Sequence, residues 1–280
     1  MNQRPIGVFD SGVGGLTVVR SLMRRLPAEH FLYLGDDARG PYGPRDLEEV
    51  RRFALEITEY LIGFGVKLVV IACNTATAAA LEQARQVFRI PVTGVIIPAV
   101  RAAVELSRVH RVGVIGTSGT IGSGEYQRAL GELAPGFRVF ARACPEFVEF
   151  VERKEFYGER IHAIAAGHLA PLIEADIDTL IMGCTHYPLL EDLLLEVAGP
   201  GINLVSSAEA TAAEVEHVLG YLGWLNEDRQ SGSLHLMTTG DVERFKDLSL
   251  VFLGPEVQRV TGTSLDERPV LDHKKPSLPS

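Results

Sequence analysis

Cysteine is sparse in this chain: three in 280 residues, at positions 73, 144 and 184. That is too few and too scattered for a disulfide scaffold, and it leaves no paired Cys/His set of the kind a zinc site requires. No HExxH or EF-hand pattern occurs either, so no metal is expected. Lysine is equally scarce, at positions 67, 154, 246, 274 and 275, and none stands where a Schiff-base cofactor would sit. Basic stretches interleaved with aromatics are missing, and 36 acids against 27 bases leave a net charge of −9. This speaks against a nucleic-acid partner. Long apolar runs are missing too. Leu68 to Cys73 falls far short of the roughly 20 residues that cross a bilayer, and the first ten residues lack the apolar core of a signal peptide. The expectation is a cytoplasmic protein with reduced thiols and no membrane contact.

The chain does contain a 46 % apolar fraction, enough for a proper core,. Its length fits about two domains of roughly 150 residues each. Short apolar runs (Ile6–Phe9, Phe31–Leu34, Leu68–Ala72, Val112–Ile115, Thr179–Met182, Leu234–Met237) alternate with amphipathic stretches such as Asp46–Ile62 and Glu159–Ile173. Continuously apolar strands separated by helices predict an α/β architecture with parallel sheets covered on both faces. An internal repeat sharpens this. Ile6-Gly7-Val8-Phe9-Asp10-Ser11 resembles Val112-Gly113-Val114-Ile115-Gly116-Thr117. Later, and in the same order, the run ending Ala72-Cys73-Asn74-Thr75 resembles the run ending Gly183-Cys184-Thr185-His186. Two similar halves are therefore expected. The first comprises residues 1–97 plus 207–264 as a discontinuous domain, and the second residues 98–206; 265–280 form a flexible tail,.

In an open parallel sheet ligands gather beyond the carboxyl ends of the strands, and Cys73 and Cys184 each stand directly after a strand, at the entrance to a helix. Helix N-termini favour thiolates. Polar neighbours, Asn74-Thr75 and Thr185-His186, are not what a core strand would carry. Cys144, in Ala143-Cys144-Pro145, reads instead as a small buried hydrophobe. The glycine turn Gly12, Gly14, Gly15 matches neither the dinucleotide pattern nor a P-loop, but it can offer backbone N–H groups to an anion. Ser118-Gly119-Thr120 offers similar donors, and the loop Gly40 to Pro44 can wall a pocket. Two opposed thiols can remove a proton from one face of an acidic C–H and return one to the other, inverting that carbon. Asp10 and His186 are placed to set which thiol holds the proton. A cysteine hydrolase with Cys184 and His186 is an alternative, although residues two apart at a strand end are expected to diverge. A two-lobed solute-binding protein is another.

The segments IGVFDSGVGGLTV, YLGDDARGPYG, ACNTATAAAL, GTSGTI and MGCTHYPLL closely resemble the ordered motifs of bacterial glutamate racemases, within the aspartate/glutamate racemase superfamily. The resemblance covers about residues 5 to 262. It implies two flavodoxin-like domains facing each other across a cleft, and cofactor-independent interconversion of L- and D-glutamate for peptidoglycan synthesis, by a homodimer. It further implies Cys73 and Cys184 as acid/base thiols, Asp10 and His186 beside them, and Glu152 supporting the histidine. Asp10, Ser11, Tyr42, Gly43, Asn74, Thr75, Thr185 and His186 match substrate-contacting positions, and Asp36 lies in a family motif without a clear role. Thr77 and Arg45 depart from residues common in the family. Since substrate and chain are both acidic, local hydrogen bonds rather than long-range steering must hold the carboxylates.

Overall fold

The structure, a computed structural model, describes residues 2–226, 232–257 and 259–266. The first part of the chain runs β1 (Ile6–Asp10), α1 (Leu16–Arg25), β2 (Phe31–Gly35), α2 (Leu47–Gly63), β3 (Leu68–Ile71), α3 (Asn74–Val87), β4 (Val92–Gly94) and α4 (Ile96–Leu106). It continues with β5 (Arg111–Gly116), α5 (Ser118–Gly122), α6 (Glu125–Leu133), β6 (Arg138–Ala143), α7 (Glu146–Glu152), α8 (Glu159–Glu174), β7 (Thr179–Gly183), α9 (Glu191–Ala198) and β8 (Asn203–Ser206). Then come α10 (Ser207–Leu222), β9 (Leu234–Thr238), α11 (Val242–Leu253) and β10 (Val260–Gly262).

Among the described residues these strands form two sheets, ordered β10-β9-β2-β1-β3-β4 and β6-β5-β7-β8, with every pairing parallel. Strands β1, β2, β3 and β7 are buried along their whole length, which is why they read as unbroken apolar runs,. The internal repeat is a topological one. The order β2-β1-β3-β4 is matched strand for strand by β6-β5-β7-β8, so Cys73, after β3, and Cys184, after β7, occupy equivalent places. Strands β9 and β10 extend the larger sheet beyond β2.

Helix starts follow local chemistry. The Asp46 carboxylate accepts from the Glu48 N–H at 2.8 Å and opens α2, with Glu48 and Glu49 in the first turn,. Asp241 does the same for α11 through Arg244 N–H at 2.7 Å. The boundary expected at 97–98 falls inside the first turn of α4, where Pro98 is tolerated because its missing N–H would have had no intrahelical partner,. The boundary at 206–207 coincides with the junction of β8 and α10. Leu265 packs on the core of the larger sheet, and the rest of the expected tail, 267–280, lies outside the described residues. Among the described residues no helix is long and apolar enough to cross a membrane.

Candidate active site

The carboxyl ends of the two sheets meet, and glycines let them approach. A Cβ on Gly14 would stand 2.4 Å from Thr185 Oγ1 and 2.5 Å from the His186 ring; one on Gly119 would stand 2.8 Å from the Gly43 carbonyl oxygen. Hydrogen bonds cross between the sheets at the same level. Thr17 Oγ1 donates to the Thr185 carbonyl at 2.9 Å, Gly119 N–H donates to the Gly43 carbonyl at 2.8 Å, and Thr75 Oγ1 lies 2.9 Å from Thr117 Oγ1. Between these contacts is a cavity of about 300 Å³, at the small end of ligand pockets. Cys73 and Cys184 both line it, as do Ser11, Tyr42, Gly43, Asn74, Thr75, Glu152, Thr185 and His186. Asp10 lies behind this wall, 1 % exposed, accepting from Ser11 Oγ at 3.2 Å, Gly12 N–H at 3.1 Å and Thr185 Oγ1 at 3.1 Å.

The two thiols sit in different surroundings. Cys73 is the N-cap of α3; its sulfur accepts from Ala76 N–H at 3.5 Å and donates to Ser11 Oγ at 4.0 Å. The helix start was expected to lower its pKa. Instead burial, followed by the charge of Asp10, outweighs the Ala76 N–H and raises it well above the usual thiol range,. Cys184 faces an imidazole: its sulfur is 3.9 Å from His186 Nδ1. This corrects the expectation that residues two apart must diverge. Cys184-Thr185-His186 is a tight turn, closed by Tyr187 N–H on the Cys184 carbonyl at 3.2 Å, and a turn brings such neighbours onto one side.

His186 Nε2 is 3.4 Å from Glu152 Oε1, and Glu152 Oε2 is 3.4 Å from Arg244 Nη2. Burial alone would lower the imidazole, but Cys184, Glu152 and Asp10 together raise its pKa to about 10, so it is a cation at neutral pH. Glu152 is held below its ordinary value, chiefly by His186 and further by Arg244, against the effect of burial. Asp10 is raised, burial outweighing His186 and its hydrogen bonds. Asp36 is buried and accepts from the Tyr42 phenol, from Arg39 Nε at 2.7 Å and from Thr239 Oγ1 at 2.8 Å. It therefore anchors the Gly40–Pro44 loop and engages the phenol of Tyr42. Cys144 is buried in the core, its pKa pushed up to about 12, mainly by burial.

Sequence did not single out every residue of this site; Arg244, Thr117 and Tyr126 are three that it missed. Arg244 comes from α11, far along the chain, and Thr117 caps α5. Tyr126 is an apolar-face residue of α6, 1 % exposed, whose hydroxyl donates to Asn74 Oδ1 at 2.7 Å. Nothing local marks Arg244 or Tyr126; Thr117 was visible as the residue equivalent to Ser11 in the repeat.

Comparison with known proteins places this geometry in context. The profile of the Asp/Glu/Hydantoin racemase family matches residues 6–215. The chain is 49 % identical to the glutamate racemase of Corynebacterium diphtheriae over 93 % of its own length and 98 % of that protein's. Among solved structures, it is similar to a glutamate racemase of Bacillus anthracis, with a TM-score of 0.90 and 41 % identity, covering 96 % of this chain and 100 % of that one. It is also similar to the Francisella tularensis glutamate racemase in complex with D-glutamate, with a TM-score of 0.88 and 32 % identity, covering 95 % and 99 %.

Proposed function

Since the chain belongs to the Asp/Glu/hydantoin racemase family, and within it to the glutamate racemases, we propose that it interconverts L- and D-glutamate by passing protons between Cys73 and Cys184 without a cofactor. The observation that carries this reading is the pair of thiols, at equivalent positions after β3 and β7, lining one small cavity.

A thiolate on one side takes the α-proton, leaving a carbanion. That carbanion takes the proton of the thiol on the other side, and the two sulfurs end with exchanged protonation. Cys73, whose surroundings favour the neutral form, is the resting acid. Cys184, its sulfur 3.9 Å from His186 Nδ1, is the thiol on the other side, and Glu152 Oε1 stands 3.4 Å from that histidine's Nε2. The free amide nitrogen of Asn74 and the main chain at Gly43 supply donors for the substrate carboxylates, joined by the hydroxyls of Ser11, Thr75 and Thr185 once they turn from their present partners to the substrate. Withdrawing charge from the α-carboxylate as the carbanion forms is where such donors lower the barrier.

The reading extends to a cytoplasmic homodimer that supplies D-glutamate for peptidoglycan. Sedimentation tests the dimer, and rescue of depleted cells by external D-glutamate tests the supply role. The activity itself is tested by incubating dialysed protein with either enantiomer in D₂O. Deuterium should appear at the α-carbon while optical rotation decays to zero; tight binding without exchange would sink the proposal. The Cys184–His186 contact is also what a cysteine hydrolase needs, and an acyl-enzyme trapped from an ester substrate would favour that instead.

A further inference from the structure

Asn74 presents an unusual balance. It is 3 % exposed and lines the cavity, yet its amide nitrogen has no protein partner. A buried N–H left unpaired is destabilising, so such a group calls for a reason. The other end of the same amide is fixed: Oδ1 accepts from the Tyr126 hydroxyl at 2.7 Å. Tyr126 is rooted in the core of the smaller sheet, with Ala129, Leu130 and Ile181, and its ring lies against Gly183, where an added Cβ would meet Cε2 at 3.0 Å. One phenol thus touches both thiol-bearing turns, through Gly183 just before Cys184 and Asn74 just after Cys73.

Resting on the racemase reading, we infer that Tyr126 is a positioning residue that fixes the orientation of the Asn74 amide, oxygen toward itself and nitrogen left for a substrate carboxylate. A neutral phenol has one proton to give, and the amide oxygen takes it. Burial and the negative potential of Cys184 keep that phenol protonated. The reverse orientation would set a carbonyl oxygen against an anionic substrate. Without the hydroxyl, both orientations are open, and the site loses a preset donor.

The test compares Tyr126→Phe, Asn74→Ala, the double variant and Asn74→Asp by steady-state racemisation in both directions, with thermal melts as a check of folding. Tyr126→Phe should raise KM for glutamate about tenfold, the size of one lost hydrogen bond to a charged group, and change kcat less than about threefold. Adding it to Asn74→Ala should do nothing more. Asn74→Asp keeps the acceptor for the phenol but has no donor to offer, so it should raise KM at least as much. An unchanged KM in Tyr126→Phe, additive effects in the double variant, or normal KM in Asn74→Asp would overturn the inference. Should Tyr126→Phe fail to fold, a crystal structure of the wild type with glutamate decides: the Tyr126 hydroxyl on Asn74 Oδ1 and Asn74 Nδ2 on a substrate carboxylate support the inference, and the hydroxyl bonded elsewhere overturns it. If the wild type exchanges no α-proton, the racemase reading falls, and calorimetric glutamate affinities of the same variants still decide the role of Tyr126.

Discussion

The hydroxyl of Thr185 donates to Asp10 Oδ2 at 3.1 Å, joining the residue after one thiol to the carboxylate that ends the central strand of the opposite sheet. Asp10 in turn raises the pKa of Cys73, and it lends its charge to His186. The two thiol sites are therefore electrostatically one site. A change beside either sulfur is felt at the other.

Replacing either Cys73 or Cys184 by serine should reduce racemisation by about 10²–10⁴-fold, the usual size of a lost acid or base. A hydroxyl is far too weakly acidic to share the proton that the thiols exchange. Cys144→Ala is the control: that sulfur lies in the core, donating to the Arg142 carbonyl at 3.6 Å, so the variant should lose some thermal stability and keep its turnover. Optical rotation and a thermal melt on the three proteins check both halves. Full activity in both serine variants would remove the thiol mechanism.

Asp10→Asn should stabilise the protein while slowing it. Burial raises the Asp10 pKa above the unfolded value, so its contribution to stability is full below the ordinary carboxylate range and is lost as pH rises through the folded pKa,. Above the ordinary carboxylate range the raised pKa is a net cost to the folded state,. An asparagine there keeps an oxygen for Ser11 and Gly12 and lets the Thr185 hydroxyl turn to accept, but it removes the charge that favours the Cys73 thiol and the His186 cation. The melting temperature should rise at pH 7, with racemisation falling at least about tenfold. A lower melting temperature would show that the carboxylate supports the fold rather than taxing it.

The central strands and the two thiol turns were legible from sequence because burial on both faces leaves an unbroken apolar run that a polar turn must end. Most observed strands exceed those runs by one or two residues, as at Phe31–Gly35 and Thr179–Gly183, whereas β3 stops at Ile71, one residue short of the expected Ala72. Strand β6 was not legible. Arg138-Val139-Phe140-Ala141-Arg142-Ala143 forms the half-exposed edge of the smaller sheet, and an edge strand needs no continuous apolar run. The thiols were found through the repeat, but their ionisation was not. The lowering expected at the start of α3 is a local effect, whereas the burial and the Asp10 charge that overcome it arise only when two distant strands are brought together. Arg244 and Tyr126 were hidden for the same reason, since each acts through a residue about 50 or more positions away in sequence.

Alkaline pH should remove stability and activity together through His186. Its pKa lies at about 10 in the folded protein against an ordinary value of 6.5, so the folded state holds a proton that the unfolded chain gives up. The resulting stabilisation is full below about pH 6.5 and is lost progressively as pH rises to about 10. Glu152→Gln removes one of the groups that raise this pKa, at 3.4 Å, and should move the alkaline limb of kcat toward neutrality. Urea titrations at several pH values and a kcat–pH profile of both proteins check this. An alkaline limb that stays in place in Glu152→Gln would mean that His186 is held charged by something else.

The thiols are nearly screened from solvent at the narrow end of the cavity: Cys73 is 7 % exposed and Cys184 5 %, and the contacts beside them, Gly119 on Gly43 and Thr75 on Thr117, run between the two sheets. The sheets are expected to part as glutamate enters and to close over it again, with water expelled as they do. Small-angle scattering should accordingly show the protein contract when glutamate is added. Gly119→Ala should block the contraction, because its methyl would press at 2.8 Å on the Gly43 carbonyl oxygen and 2.9 Å on Thr75 Cγ2, wedging the sheets apart. Its kcat should fall about tenfold or more while folding is retained, as expected when reacting groups are displaced by a fraction of an ångström. Gly122→Ala, on the same short helix with open space around its Cβ, should behave as wild type. Identical scattering with and without substrate, or a fully active Gly119→Ala, would mean that entry does not require the two sheets to separate.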